Sequence, residues 1–224
     1  MRILLLSLTF LFLSGSLDAQ IVSIDAPAAL VFEQWYKGSV TTNDNETLEG
    51  EIQWINRQYN QRRVNFRSAA SNKVYTKDDL KSYTINGQAY QFVNDPNYGK
   101  RYVARAVEGG LSVYYYYILK SESAIKGTNT VEHKDDGKVV NHIAFTKERN
   151  DADFEEVMLI KRHDAQKFIN LSAPAFAMSF KKAMSNLVDD YAELASKIKN
   201  KEKGYKMLQR DKIILEYNEW YAKS

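Results

Sequence analysis

The chain has 224 residues, no cysteine, three histidines and a formal charge of +3. Absence of cysteine excludes disulfides, thiol catalysis, Cys-ligated zinc and iron–sulfur clusters, and so mild a charge argues against nucleic acid as a partner. A composition 44% hydrophobic and 12% aromatic supplies the apolar area to hold an exported domain together without cross-links.

Arg2, an apolar run over residues 3–13, and then Ser14, Gly15, Ser16, Leu17, Asp18, Ala19 and Gln20 form the pattern of a cleavable secretory signal. The run is shorter than the roughly 20 residues a permanent span needs. Residues 1–19 are therefore expected to be removed after Ala19, delivering the protein to the periplasm or the cell exterior. No cysteine follows the run, which excludes a lipid-modified N-terminal cysteine, and no transmembrane segment is expected in the mature chain.

From Gly38 the pattern has period two: Leu48, Gly50, Ile52 and Trp54 share one face of a strand, and Glu49, Glu51 and Gln53 the other. Asn43, Asp44 and Asn45 supply a turn, so residues 39–42 and 47–54 read as a hairpin. Strands follow at 64–66 and 73–75. Thr76 and Asp79 match a capping box, predicting one helical turn over 78–81. Strands at 83–85 and 88–93 flank Asn86-Gly87, the pair a type I′ turn prefers.

Beyond a loop with Pro96 and Gly99, strands at 102–107 and 111–119 surround Glu108, Gly109 and Gly110. In the second, Leu111, Val113, Tyr115, Tyr117 and Leu119 point one way and Ser112, Tyr114, Tyr116 and Ile118 the other, so both faces are expected to be covered. Polar residues 121–137 read as a loop or long hairpin tip, followed by strands near 139–145 and 154–161. The period then changes to three and four: Phe176, Phe180, Met184, Leu187, Tyr191, Leu194 and Ile198 line one helical stripe. Ser172 and Pro174 suit a helix start and Gly204 a break. A last helix is expected over 205–221, with Leu208, Ile214, Tyr217 and Tyr221 near one stripe.

Gly38-x-Val40, Leu48-x-Gly50-x-Ile52, Val64-x-Phe66, Tyr75-Thr76-x-x-Asp79-Leu80, Glu108-Gly109-x-Leu111-x-Val113-Tyr114 and Tyr217-Asn218 together resemble a family of uncharacterised exported proteins of Bacteroidota-type bacteria. The resemblance spans most of the mature chain. It implies export, a β-rich body and a helical C-terminal segment, and it brings no activity and no catalytic residue. Members often carry Gly-Lys where this chain has Gly109-Gly110, a departure that touches a turn.

Several constellations bear on chemistry. Ser179 and Lys182 have the Ser-x-x-Lys spacing of penicillin-recognising acyl enzymes, yet Ser185-Asn186 is not Ser-Asp-Asn and no Lys-Thr-Gly occurs; an amphipathic helix with a surface lysine accounts for the match. Glu132, His133, Asp135, Asp136 and His142 crowd one hairpin, but their spacing fits no metal motif, and a solvated loop is the reading. Tyr114 to Tyr117, with Tyr90, Tyr98 and Tyr102, could form an aromatic platform for sugar or peptide, although a central strand with core rings explains them more simply. Lysines 197, 199, 201, 203 and 206 read as a solvated helix end or as a contact for acidic glycans or lipid headgroups. The seam at Leu187, Tyr191, Leu194 and Ile198 is too short for a coiled coil.

The fold class expected is α+β: a mostly antiparallel sheet over residues 20–165, curled into a small barrel around 36–93, followed by two or three helices over 170–224. The function expected is a non-enzymatic binding or structural module of the cell envelope, with a protein or glycan partner and no metal or cofactor. Tyr114 and Tyr116 are the candidate ligand-binding residues, and no residue is assigned as catalytic. One alternative is a hydrolase-like enzyme whose site gathers distant residues, with Asp79, His133, His142 or His163 as acid or base. Another is a stress-induced exported protein that meets its partner through the C-terminal helices.

Overall fold

Alternating apolar residues become strands almost where their spacing puts them. The structure, a computed structural model, describes residues 23–96, 99–120, 130–135, 138–143 and 153–224, the two short central stretches as backbone. The expected signal at 1–19, Tyr98 and Asp136 lie outside the described residues. The chain runs β1 (Trp35–Thr42), β2 (Thr47–Gln53), α1 (Arg57–Asn60), β3 (Arg63–Arg67), β4 (Asn72–Thr76), β5 (Leu80–Ile85), β6 (Gln88–Asp95), β7 (Gly99–Val107) and β8 (Leu111–Leu119). It continues through β9 (Thr130–Asp135), β10 (Lys138–Ile143), β11 (Phe154–Arg162), β12 (Ile169–Asn170), α2 (Pro174–Leu187), α3 (Ala192–Lys199), a 3-10 turn at Met207–Gln209 and α4 (Arg210–Tyr221).

Ten strands make one sheet in the order β12-β11-β8-β7-β6-β5-β1-β2-β3-β4, with β9 and β10 paired separately. All its ladders are antiparallel, and the helices come last, so the fold is α+β. The sheet curls over residues 36–93 without closing into the expected barrel. Both edges of β5 are taken, by β1 and β6, so β4 has no strand left to pair with beyond β3. The curl is tight because Gly38 and Gly50 face each other across β1 and β2. A Cβ on Gly38 would lie 2.1 Å from the Thr84 carbonyl oxygen, and one on Gly50 2.4 Å from that of Arg67. Inside the curl Val40, Ile52, Trp54, Val64, Phe66, Tyr83 and Tyr102 form one core.

Local turn chemistry is expressed as read, with one change. Asn86 and Gly87 both take positive φ, 50° and 79°, as a type I′ turn needs. Asp79 Oδ2 accepts from the Thr76 N–H at 2.6 Å and from its hydroxyl at 2.8 Å. That pairing closes a tight turn into β5 in place of the expected helical turn over 78–81, because Leu80 is buried and already in the strand.

Where β7 and β8 part, α1 fills the gap. Their ladder covers only Val113 to Tyr115 of β8. Gln61, just after α1, accepts from the Tyr117 N–H at 2.8 Å and donates to the Tyr117 carbonyl at 2.9 Å, while its own carbonyl accepts from Tyr102 N–H at 2.8 Å. α1 is itself polar and buried. Asn56 caps it through Tyr59 N–H at 2.8 Å, and Asn60 accepts from Ile55 N–H and donates to the Gln53 carbonyl. Sequence periodicity did not predict this four-residue helix, nor the two-residue β12.

The helical layer covers Leu111, Val113, Tyr115, Tyr117, Met158 and Ile160 with Phe176, Phe180, Met184, Leu194, Ile198, Ile213, Ile214 and Tyr217. The stripe expected to run unbroken from Phe176 to Ile198 is interrupted at Val188–Tyr191, where Asp189 pairs with Arg162 and Asp190 accepts from the Tyr217 hydroxyl at 2.8 Å. Gly204 breaks the chain at φ 88° as expected. The last helix starts later than 205, and Leu208, expected on its inner stripe, is 89% exposed because it sits in the preceding 3-10 turn.

Asn218 seats α4 on β8. Its Oδ1 accepts from the Leu111 N–H at 2.7 Å and its Nδ2 donates to the Leu111 carbonyl at 2.9 Å. Gly109 and Gly110 leave room for this: Cβ atoms there would lie 2.6 Å from Asn218 and 2.6 Å from Tyr221. Asn218→Ala or Gln61→Ala would strand a strand N–H and C=O together, at a cost of about 2–4 kcal/mol. Urea unfolding of either variant is expected to show that loss, and an unchanged midpoint would refute the role assigned to the amide.

Candidate functional site

Helix α2 buries Phe176, Phe180, Met184 and Leu187 against the sheet. Met178, Lys181, Lys182 and Ser185, at steps of three and four, follow another stripe of the same helix. α3 folds back beside this stripe and buries Leu194, Ala195 and Ile198, which brings Lys199 at its C-terminal end over the groove. Met178, Ser179, Lys181, Lys182, Ser185, Asn186 and Lys199 line a space of about 340 Å³.

Three lysines therefore line one groove, and none of Lys181, Lys182 and Lys199 is in an ion pair among the described residues. Lys197, two residues from Lys199, is instead held by Glu193 at 2.6 Å and lies 3.9 Å from Glu216. The run of lysines is thus divided: Lys197 is neutralised locally, and Lys199 is left to face the groove. The groove's polar lining is donor-rich, with three –NH₃⁺ groups and the Asn186 amide. It suits an anion.

The serines in the groove are not poised as nucleophiles. Ser179 Oγ donates to the Ala175 carbonyl at 2.7 Å, one turn back in its own helix, and Ser185 Oγ donates to the Lys182 carbonyl at 3.2 Å. No base donates to or accepts from Ser179 Oγ; the Ser-x-x-Lys spacing places Ser179 and Lys182 in the lining of the same groove. Among the described residues there is no cluster of three or more His, Cys, Asp or Glu able to hold a metal.

Tyr114 and Tyr116 are 5% and 8% exposed. They pack with Val93, Val103, Val157 and Leu159 on the sheet face away from the helices. The Tyr114 ring meets Phe168 edge-on at 5.3 Å, and the Arg101 guanidinium lies 4.5 Å from the Tyr116 ring centroid. Tyr90 stacks on Tyr83 at 4.5 Å inside the curl, with Tyr102 edge-on to Tyr83. The tyrosines thus enter separate cores. Tyr115 and Tyr117 act through their hydroxyls, donating to the carbonyls of Ile24 at 2.6 Å and Pro27 at 3.4 Å.

Of the distant acid–base candidates, the two with described side chains, Asp79 and His163, are engaged at separate places. Asp79 is engaged by Thr76, and the His163 ring meets that of Tyr221 at 4.5 Å, tilted by 36°, beyond the end of β11. β9 and β10 pair His133 with Val140 and His142 with Val131, and the side chains of Glu132, His133, Asp135 and His142 lie outside the described residues. Comparison with protein-family models, characterised proteins and solved structures gives no match. Sequence reasoning missed Met178 and Lys181; the signal that could have found them is the i, i+3, i+4, i+7 spacing of Met178, Lys181, Lys182 and Ser185 on α2.

Burial pushes the Tyr115 hydroxyl up to about 12, with Asp211 reinforcing the shift and Arg210 opposing it. Burial raises Tyr83, Tyr90, Tyr102 and Tyr217 as well. Each of these groups holds its proton more tightly when folded. The stability they contribute is complete below the unfolded value of about 10 and is lost as pH rises through the folded values. A urea midpoint measured against pH is expected to hold until about pH 10 and fall above it, with a shallower fall in Tyr115→Phe.

Proposed function

We propose that this chain is an exported, non-enzymatic binding module of the cell envelope that holds an anionic group in the groove between α2 and α3. The observation that carries the reading is the presence of Lys181, Lys182 and Lys199, free of ion pairs among the described residues, in the lining of a single groove. Burying an uncompensated charge is costly, whereas leaving three beside one another in solvent keeps a local positive potential that a phosphate or carboxylate relieves. With a formal charge of only +3 over the whole chain, attraction of this kind is local to the groove.

Export is supported by the charged start, apolar run and small residues of 1–19, and by the resemblance to exported proteins. The binding reading is supported by the chemistry of the groove, where both serine hydroxyls are turned into helix carbonyls. Inorganic polyphosphate is a suitable probe. Titration calorimetry at low salt is expected to show binding, weakened roughly tenfold or more in the triple variant K181Q/K182Q/K199Q and unchanged in Lys77→Gln on the β4–β5 turn. Equal affinity of the triple variant and the parent would overturn the assignment.

A further inference from the structure

Lysines alone do not account for the groove, because Met178 stands at its lining with 90% of its surface exposed. Leu208, in the 3-10 turn that packs beside α2, is 89% exposed. Lys203 and Lys206 just before it are exposed as well. A soluble phosphate or an acidic polysaccharide would satisfy the ammonium groups and leave Met178 in water. A bilayer with anionic headgroups satisfies both, taking the ammoniums at phosphate depth and the flexible thioether stem at the acyl boundary.

We propose that the α2–α3 groove docks the protein on an anionic phospholipid bilayer, with Lys181, Lys182 and Lys199 on lipid phosphates and Met178 inserted as the apolar anchor. This rests on the anion reading of the same groove and names the source of the anion. No helix among the described residues is long and apolar enough to cross a membrane. Contact of this type is a sum of modest terms, electrostatic and apolar, and is therefore reversible and salt-sensitive.

Co-sedimentation of the purified protein with vesicles tests this directly, using phosphatidylcholine alone and phosphatidylcholine mixed with phosphatidylglycerol. Binding is expected on the mixed vesicles and not on the neutral ones. K181Q/K182Q is expected to weaken vesicle binding by roughly thirtyfold and polyphosphate binding as well. Met178→Ser, a change at an exposed position that circular dichroism can confirm as folded, is expected to weaken vesicle binding several-fold, a larger loss than it causes in polyphosphate affinity. Equal partition onto neutral and anionic vesicles, or vesicle binding insensitive to both K181Q/K182Q and Met178→Ser, overturns the proposal. Polyphosphate binding without vesicle binding overturns the lipid assignment and leaves the anion groove standing; loss of both removes the groove reading itself.

Discussion

One edge of strand β8 needs more partners than its neighbouring strand provides. On that edge β7 reaches only Val113 to Tyr115, and the backbone groups of Leu111 and Tyr117 would otherwise be left without partners inside the protein. Primary amides complete the ladder at both ends: Asn218 from α4 at Leu111 and Gln61 from the end of α1 at Tyr117. An amide side chain carries a donor and an acceptor in the geometry of a peptide group, so each acts as a one-residue strand. The helical layer and the curled sheet are thereby attached to the same backbone, from opposite ends.

The side chains of β8 extend this role. Leu111, Val113, Tyr115 and Tyr117 fill the core beneath the helices, and Tyr114 and Tyr116 fill the one on the opposite face. The Tyr115 and Tyr117 hydroxyls reach the segment before β1, to which Arg57 also donates at Pro27, 2.7 Å away. Arg57 lies 4.1 Å from the Tyr117 ring centroid, so a buried cation, an aromatic face and a backbone carbonyl share one place. With β8 held on both faces and along its edge, the helices have a fixed platform, and the α2–α3 groove inherits its shape from it.

Much of the sheet was legible because its causes are local. Alternation marks the strands, Asn86-Gly87 marks the tightest hairpin, and the change to a three-four period marks α2 and α3. What escaped depends on residues far apart in the chain. The interruption after Leu187 is made by Arg162 and Tyr217, which draw Asp189 and Asp190 out of a helical pattern that the apolar spacing alone would have continued. α1 has no apolar stripe to announce it, since its inward residues are Arg57 and Asn60. The groove was half visible: Ser179 and Lys182 stand out as a Ser-x-x-Lys pair and Lys199 as part of a lysine run, and only the return of α3 alongside α2 makes them one surface. Tyr114 to Tyr117 were legible as a covered strand and conveyed nothing of the Ile24 and Pro27 carbonyls that two of them hold.

The segment entering β1 carries a consequence for how this protein is made. Ile24 donates its N–H to Asp211 of α4 at 3.1 Å, a bond between residues 187 positions apart. Nearly the whole chain must therefore emerge before the earliest described part of the fold can meet its partner, and bringing such distant segments together is slow. The core inside the curl draws its buried residues only from 40–104, whereas the core beneath the helices stays open until Ile213, Ile214 and Tyr217 of α4 arrive. The final helix thus locks down the segment that led the way.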